Sequence, residues 1–270
     1  MTADKRKKSC TTTDSLAQIQ QKLHRWYQTG LGQCLLDEEK RQLAAILPTL
    51  FGYHLLQIGH FADASLLEPS KISHRVAMML PEMDEHSAWT KPYLAGLPHS
   101  LPFASDSIDV VVLHHTLEFS PFPHEVLREV DRVLVPEGHV VMLMFNPWSM
   151  WFLQRLLLSW RKGVRVPWCG RFIGVTRSKD WLSLLGFDVM QTSGYFYRPA
   201  LQQKALMDRL NWLESMGQRF WPVFGGCNIV IGKKRVETLT PIRPKWRRRG
   251  QRVVTSGLVE SMDAYRRKVS

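Results

Sequence analysis

The strongest constraint on what this chain can fold into is a strict alternation of strand-like and helix-like segments through its middle. Ile108–His114 reads Ile-Asp-Val-Val-Val-Leu-His. Such a β-branched run, with almost no polar alternation, marks a strand covered on both faces. In Pro123–Leu134, residues Val126, Leu127, Val130, Val133 and Leu134 share one helical face, while Glu125, Arg128, Glu129, Asp131 and Arg132 share the other. Pro136-Glu137-Gly138 then turns the chain into a second buried strand, His139–Phe145. Upstream, His54–Ile58 closes on Gly59, and Ser73–Leu80 reads as another strand. An alternation of this kind requires a parallel sheet with helices packed over it.

The flanks read differently. Asp14 is an N-cap candidate for a helix carrying Leu16, Ile19, Leu23, Trp26 and Tyr27, which Gly30 and Gly32 are expected to end. Asp37 is expected to open a second helix with an apolar face of Leu43, Ala44, Ile46 and Leu47. After the central alternation come a helix over Ser178–Leu185, stopped by Gly186, and a strand over Phe187–Tyr197. A helix over about Ala200–Met216 and a last strand near Cys227–Ile231 complete the periodic sequence. The expected organisation is a mobile basic arm (1–13), N-terminal helices (14–52), one α/β domain (53–235) and a disordered basic tail (236–270).

Charge sharpens this division. The net charge of +12 invites a nucleic-acid or anionic-membrane reading. Residues 1–9 carry +3 and residues 233–270 carry +9, so residues 10–232 sum to zero. The basic character sits at the ends and assigns no substrate to the fold. Cys10, Cys34, Cys169 and Cys227 show neither a C-x-x-C pair nor zinc spacing, which argues against a disulfide framework and against a metal site. The polar start lacks a secretory core, and Val140–Trp160 is broken by Asn146, Pro147, Gln154 and Arg155, so no membrane span is expected. A cytoplasmic protein is the expectation.

Parallel α/β sheets bind ligands at the carboxyl ends of their central strands, near the point where strand order reverses. The residues at those ends resemble a known family. Leu101-Pro102-Phe103, leading through Ile108-Asp109 into Leu117-Glu118-Phe119, is followed by Leu127-Arg128-Glu129-Val130-Asp131-Arg132-Val133-Leu134-Val135-Pro136-Glu137-Gly138. This succession resembles the corresponding segment of class I S-adenosylmethionine-dependent methyltransferases, over roughly His54 to Phe145. The resemblance implies a Rossmann-like fold: a seven-stranded, mostly parallel sheet with one antiparallel strand at its end. It also implies S-adenosyl-L-methionine as cofactor and methyl transfer to an unidentified acceptor, small and partly apolar. The glycine-rich first motif of the family is altered here. Gln57 stands for its acid, Gly59 for its first glycine, and Phe61 and Asp63 for the other two. Glu82 and Asp84 lie late for the ribose-binding acid, and Leu97 replaces the acid near adenine.

The resemblance therefore assigns cofactor contacts to Gln57, Gly59, His60, Phe61, Leu101 and His114. His115 and Glu118, in the loop beside the transferred methyl group, are the candidate catalytic residues, an imidazole being able to deprotonate an acceptor hydroxyl. The competing readings are that His114 and His115 pack at a strand end and that Glu118 caps a helix. At the level of the whole protein, the alternative is a non-catalytic domain of the same fold binding a small ligand or a partner. A third is an RNA methyltransferase using the basic ends. Trp148–Trp160 is either a helix buried on the sheet, a lid over the acceptor, or a peripheral membrane contact. Lys245, Trp246, Arg247, Arg248 and Arg249 offer a nucleic-acid contact, ranked below a solubilising role.

Overall fold

The computed structural model describes residues 16–59, 64–79, 94–151, 170–199, 209–210 and 212–236. All belong to a unit ending at Val236. The basic arm, His60, Phe61, Glu82, Asp84, most of Trp148–Trp160, the start of the helix expected from Ala200, and the tail from Glu237 lie outside them.

Seven strands form one sheet: β1 (His54–Gly59), β2 (His74–Met79), β3 (Leu94–Ala95), β4 (Ile108–His114), β5 (Leu134–Phe145), β6 (Phe187–Tyr195) and β7 (Cys227–Lys234). Their order is β3-β2-β1-β4-β5-β7-β6. All run parallel except β7, which lies antiparallel between β5 and β6. This is the seven-stranded, mostly parallel Rossmann-like sheet that the resemblance implies. The period-2 alternation of the central strands sorts their side chains between two cores. Val110, Val112, Val141, Leu143 and Phe145 enter one. Ile108, Val111, Leu113, Val140, Met142 and Met144 enter the other.

Helices α1 (Leu16–Tyr27) and α2 (Gly30–Ile46) cover the first face. Helices α3 (Pro123–Val133) and α4 (Val175–Leu184) cover the second, and α5 (Trp212–Phe220) precedes β7. Val126, Leu127, Val130 and Val133 of α3 are all buried, as their spacing predicts. Among the described residues, no helix is long and apolar enough to cross a membrane.

Three local expectations change. Gly30 and Gly32 begin α2 instead of merely ending α1, and Asp37 lies inside the helix, with Thr29 as the N-cap. The Thr29 hydroxyl accepts from Gly32 N–H at 3.2 Å. A Cβ on Gly32 would sit 2.3 Å from the Trp26 carbonyl oxygen, so glycine here permits close approach of the two helices. Ala44 is exposed, not part of the apolar face. Finally, Pro136-Glu137-Gly138 is no separate turn. It is an irregularity inside β5, where pairing jumps from Ile108–Leu134 to Val110–His139.

The far end of β7 also revises the charge map. Lys234 Nζ donates to the carbonyls of Asp131 and Leu134 and pairs with Asp106. Lys233 and Arg235 both reach Glu137. Three of the twelve basic residues counted in the C-terminal segment are therefore bound into the fold.

Candidate functional site

The site lies where strand order reverses. β1 pairs β2 on one side and β4 on the other, and Gly59 at the end of β1 stands opposite His114 at the end of β4. Gln57, two residues before Gly59, is fully buried. Leu101 packs in the core beside Leu56, Ile58 and Leu113. Gln57, Gly59 and His114 are thus brought together, with Leu101 close behind.

The loop carrying Leu101 is pinned by the amphipathic helix. Glu129 accepts from Leu101 N–H at 2.9 Å, and Arg132 donates to the carbonyls of Leu101 and Phe103. Glu129 and Arg132 are joined by two parallel bonds of 2.9 and 2.8 Å. The hydrogen bond from Arg132 is the main reason that the Glu129 carboxyl lies below its ordinary pKa.

At the end of β4 the chain makes a tight polar cluster with no exposure to solvent. His114 Nε2 lies 2.8 Å from Glu39 Oε2, and His115 Nε2 lies 2.8 Å from Glu39 Oε1. His115 Nδ1 faces Glu118 Oε1 at 3.1 Å, and the same oxygen accepts from Phe145 N–H at 2.7 Å. The Tyr27 hydroxyl lies 3.5 Å from His114 Nε2. Thr116 closes the base by donating to the Ile58 carbonyl at 2.7 Å. His115 holds a left-handed backbone, with φ of +47°. For a non-glycine residue this is a strained conformation, maintained by surrounding contacts.

Electrostatics fixes the charges in this cluster. Burial raises the Glu39 pKa, but the charges and hydrogen bonds of His114 and His115 outweigh it and bring the value down to about 2. Burial lowers the His115 pKa, but the Glu39 charge and hydrogen bonds to Glu118 and Glu39 outweigh it and raise the value to about 9. At neutral pH, His115 is an imidazolium clamped between two carboxyl groups. Glu118 Oε2 is buried and has no hydrogen-bond partner among the described residues. One Glu39 oxygen and one nitrogen of each histidine lie within 4.8 Å of one another, a donor set that could hold a metal ion. The hydrogen bonds account for the same three groups without one.

Glu39 was missed by the sequence reading, although a signal existed. Leu35, Glu39 and Leu43 follow one another at four-residue spacing, and all three are buried. An acid in the middle of an apolar helical stripe needs a buried partner.

Beyond the cluster, the carboxyl end of β5 opens onto a cavity of about 970 Å³. Asn146 and Trp148 after β5, the first turn of α4, Thr192–Gly194 of β6 and Asn228 of β7 contribute to its wall. Gln42, one turn beyond Glu39 on α2, lines it too and donates to Glu38 at 3.0 Å. Trp148 is exposed at 72%, whereas Trp151 is buried with its indole N–H on the Arg198 carbonyl.

A family profile described as "Methyltransferase domain" matches residues 69–142. The uncharacterized protein YafS of Escherichia coli K12 is 31% identical over 218 residues, covering 80% of this chain and 82% of YafS. A SAM-dependent methyltransferase from Thermotoga maritima superposes with a TM-score of 0.58 at 16% identity, over 82% of this chain and 98% of that one. A candidate methyltransferase of Haloferax volcanii, solved with the activator Trm112, gives 0.56 at 16% identity, over 82% and 99%.

Proposed function

Because the chain belongs to the methyltransferase-domain family of class I S-adenosylmethionine-dependent enzymes, we propose that it methylates a small, partly apolar acceptor. The observation that carries this reading is the buried Glu39–His115–Glu118 array at the end of β4, one strand from Gly59. S-adenosylmethionine, the cofactor of the family, supplies an electrophilic methyl group on a sulfonium centre. Gln57, Gly59, His60, Phe61, Leu101 and His114 are the residues proposed to hold it. The described members fit this group. Gly59 leaves the strand end without a side chain, opposite His114 on the neighbouring strand.

Within this reading the two candidate catalytic residues divide their labour. His115, already protonated, is unsuited to accept a proton and instead fixes Glu118 through Nδ1. The second oxygen of Glu118, unspent on any described group, is the proton acceptor for the substrate. Orienting reactants in a closed site contributes up to about 7–11 kcal/mol to catalysis of this type, so few side chains need take part in chemistry. The N-terminal helices contribute through Glu39, which fastens α2 over the end of β4.

Incubation of the protein with S-[methyl-³H]adenosylmethionine and fractionated small-molecule extract tests this reading. It predicts enzyme-dependent label in a low-mass product, reduced by orders of magnitude in Glu118→Gln. Label confined to background in every fraction, or an unaffected Glu118→Gln chain, contradicts it.

A further inference from the structure

The cavity beside the cluster has a chemical character of its own. Arg177 and Lys179 line it, no acidic residue does, and neither basic side chain has a carboxylate partner among the described residues. Arg177 rests against the Trp181 ring, 5.7 Å from its centroid. Gly174, Val175, Thr176 and Arg177 place the N-terminal turn of α4 in the wall. That helix has no side-chain cap at Gly174 and no acid in its first turn. Its amino end therefore adds partial positive charge and unspent N–H groups.

A second observation also points to a ligand. Asn228 is only 4% exposed, yet its side-chain amide lines the cavity and meets no partner among the described residues. Buried polar side chains are almost always satisfied, so an amide without a partner that lines a concavity is a hydrogen-bonding group for a bound molecule. Trp148, Val175, Tyr197 and Val223 supply an apolar side to the same space.

We propose that this cavity binds an anionic small molecule, a carboxylate or phosphate monoester on a partly apolar or aromatic body. Arg177, Lys179 and the α4 amino end receive the anion, and Asn228 hydrogen-bonds to it. The inference rests on the methyl-transfer reading only in taking this anion to be the acceptor. The cavity starts at Asn146, directly after Phe145, whose N–H is bonded to Glu118.

Calorimetric titration of the full chain with benzoate, phenyl phosphate and benzamide tests the proposal, with S-adenosylhomocysteine titrated in parallel. Benzoate and phenyl phosphate are expected to bind saturably, and benzamide at least about tenfold more weakly. R177Q/K179Q is expected to weaken both anions by about tenfold or more. Asn228→Ala, which leaves α4 untouched, is expected to weaken them severalfold, so the result does not depend on one variant folding. Equal binding of benzamide and benzoate, or undiminished anion binding in both variants, overturns the proposal. S-adenosylhomocysteine binding without any anion binding overturns it while leaving the methyl-transfer reading intact. Anion binding without S-adenosylhomocysteine binding supports the cavity assignment and removes methyl transfer from it.

Discussion

Glu39 and His115, 76 residues apart in sequence, meet at 2.8 Å in the fully buried interior, where Glu39 also holds His114 and His115 also holds Glu118. Removing one member of a buried ion pair leaves an uncompensated charge and costs about 3–5 kcal/mol. Glu39→Ala is therefore expected to lower unfolding stability by about 3 kcal/mol or more, read as a reduced urea midpoint. Glu39→Gln keeps the shape and one acceptor and is expected to cost less. A midpoint unchanged in Glu39→Ala would show that the contact contributes nothing.

The same pair sets a pH window. The Glu39 pKa falls from 4.5 to about 2 on folding, so its contribution is complete above about pH 4.5 and disappears as pH drops toward 2. The His115 pKa rises from 6.5 to about 9, so its contribution is complete below about pH 6.5 and is lost as pH climbs toward 9. Stability attributable to the pair should be greatest between about pH 4.5 and 6.5 and fall on both sides. Melting curves of wild type and Glu39→Gln, measured from about pH 2 to about pH 9, should converge at both extremes. A constant difference between them would contradict the assigned shifts.

Backbone strain at His115 gives a prediction independent of charge. With φ at +47°, an L-residue carries about 1 kcal/mol that glycine does not. His115→Gly should therefore be more stable than His115→Ala by about that amount, despite glycine's greater flexibility when unfolded. The reverse order in chemical denaturation would place His115 in an ordinary conformation.

Gly32 tests the placement of α2. A methyl group there would lie 2.3 Å from the Trp26 carbonyl oxygen and 2.6 Å from the Tyr27 Cα, so the helices must separate. Gly32→Ala is expected to cost about 1–3 kcal/mol. Because the displaced helix carries Glu39, the variant should also shift the titration of His115, visible by NMR. A stable variant with unaltered His115 titration would contradict this packing.

The sequence disclosed the sheet because its central strands and α3 carry periodicities that depend on burial alone. The Leu101–Phe103 segment was legible only through its resemblance to a family, because its anchors Glu129 and Arg132 read in sequence simply as the polar face of α3. The polar cluster was only half visible. His114, His115 and Glu118 lie within five residues, but their counter-charge comes from α2, and no local rule links positions 39 and 115. The α1–α2 boundary was misjudged because glycine serves equally to end a helix and to let another approach, and only the Trp26–Gly32 distance distinguishes the two. Asn228 was hidden inside the apolar run Cys227–Ile231, where one polar residue at a strand end carries no pattern.

The altered first motif, with Gln57 and only one of its glycines, is proposed to form a cofactor site at Gly59 and His114. Titration calorimetry of the full chain with S-adenosylhomocysteine tests it most directly. One saturable site and a rise in melting temperature are expected; ligand at about 100 times its dissociation constant should add about 2.7 kcal/mol of stability. Absence of both heat and thermal shift up to millimolar ligand would contradict it.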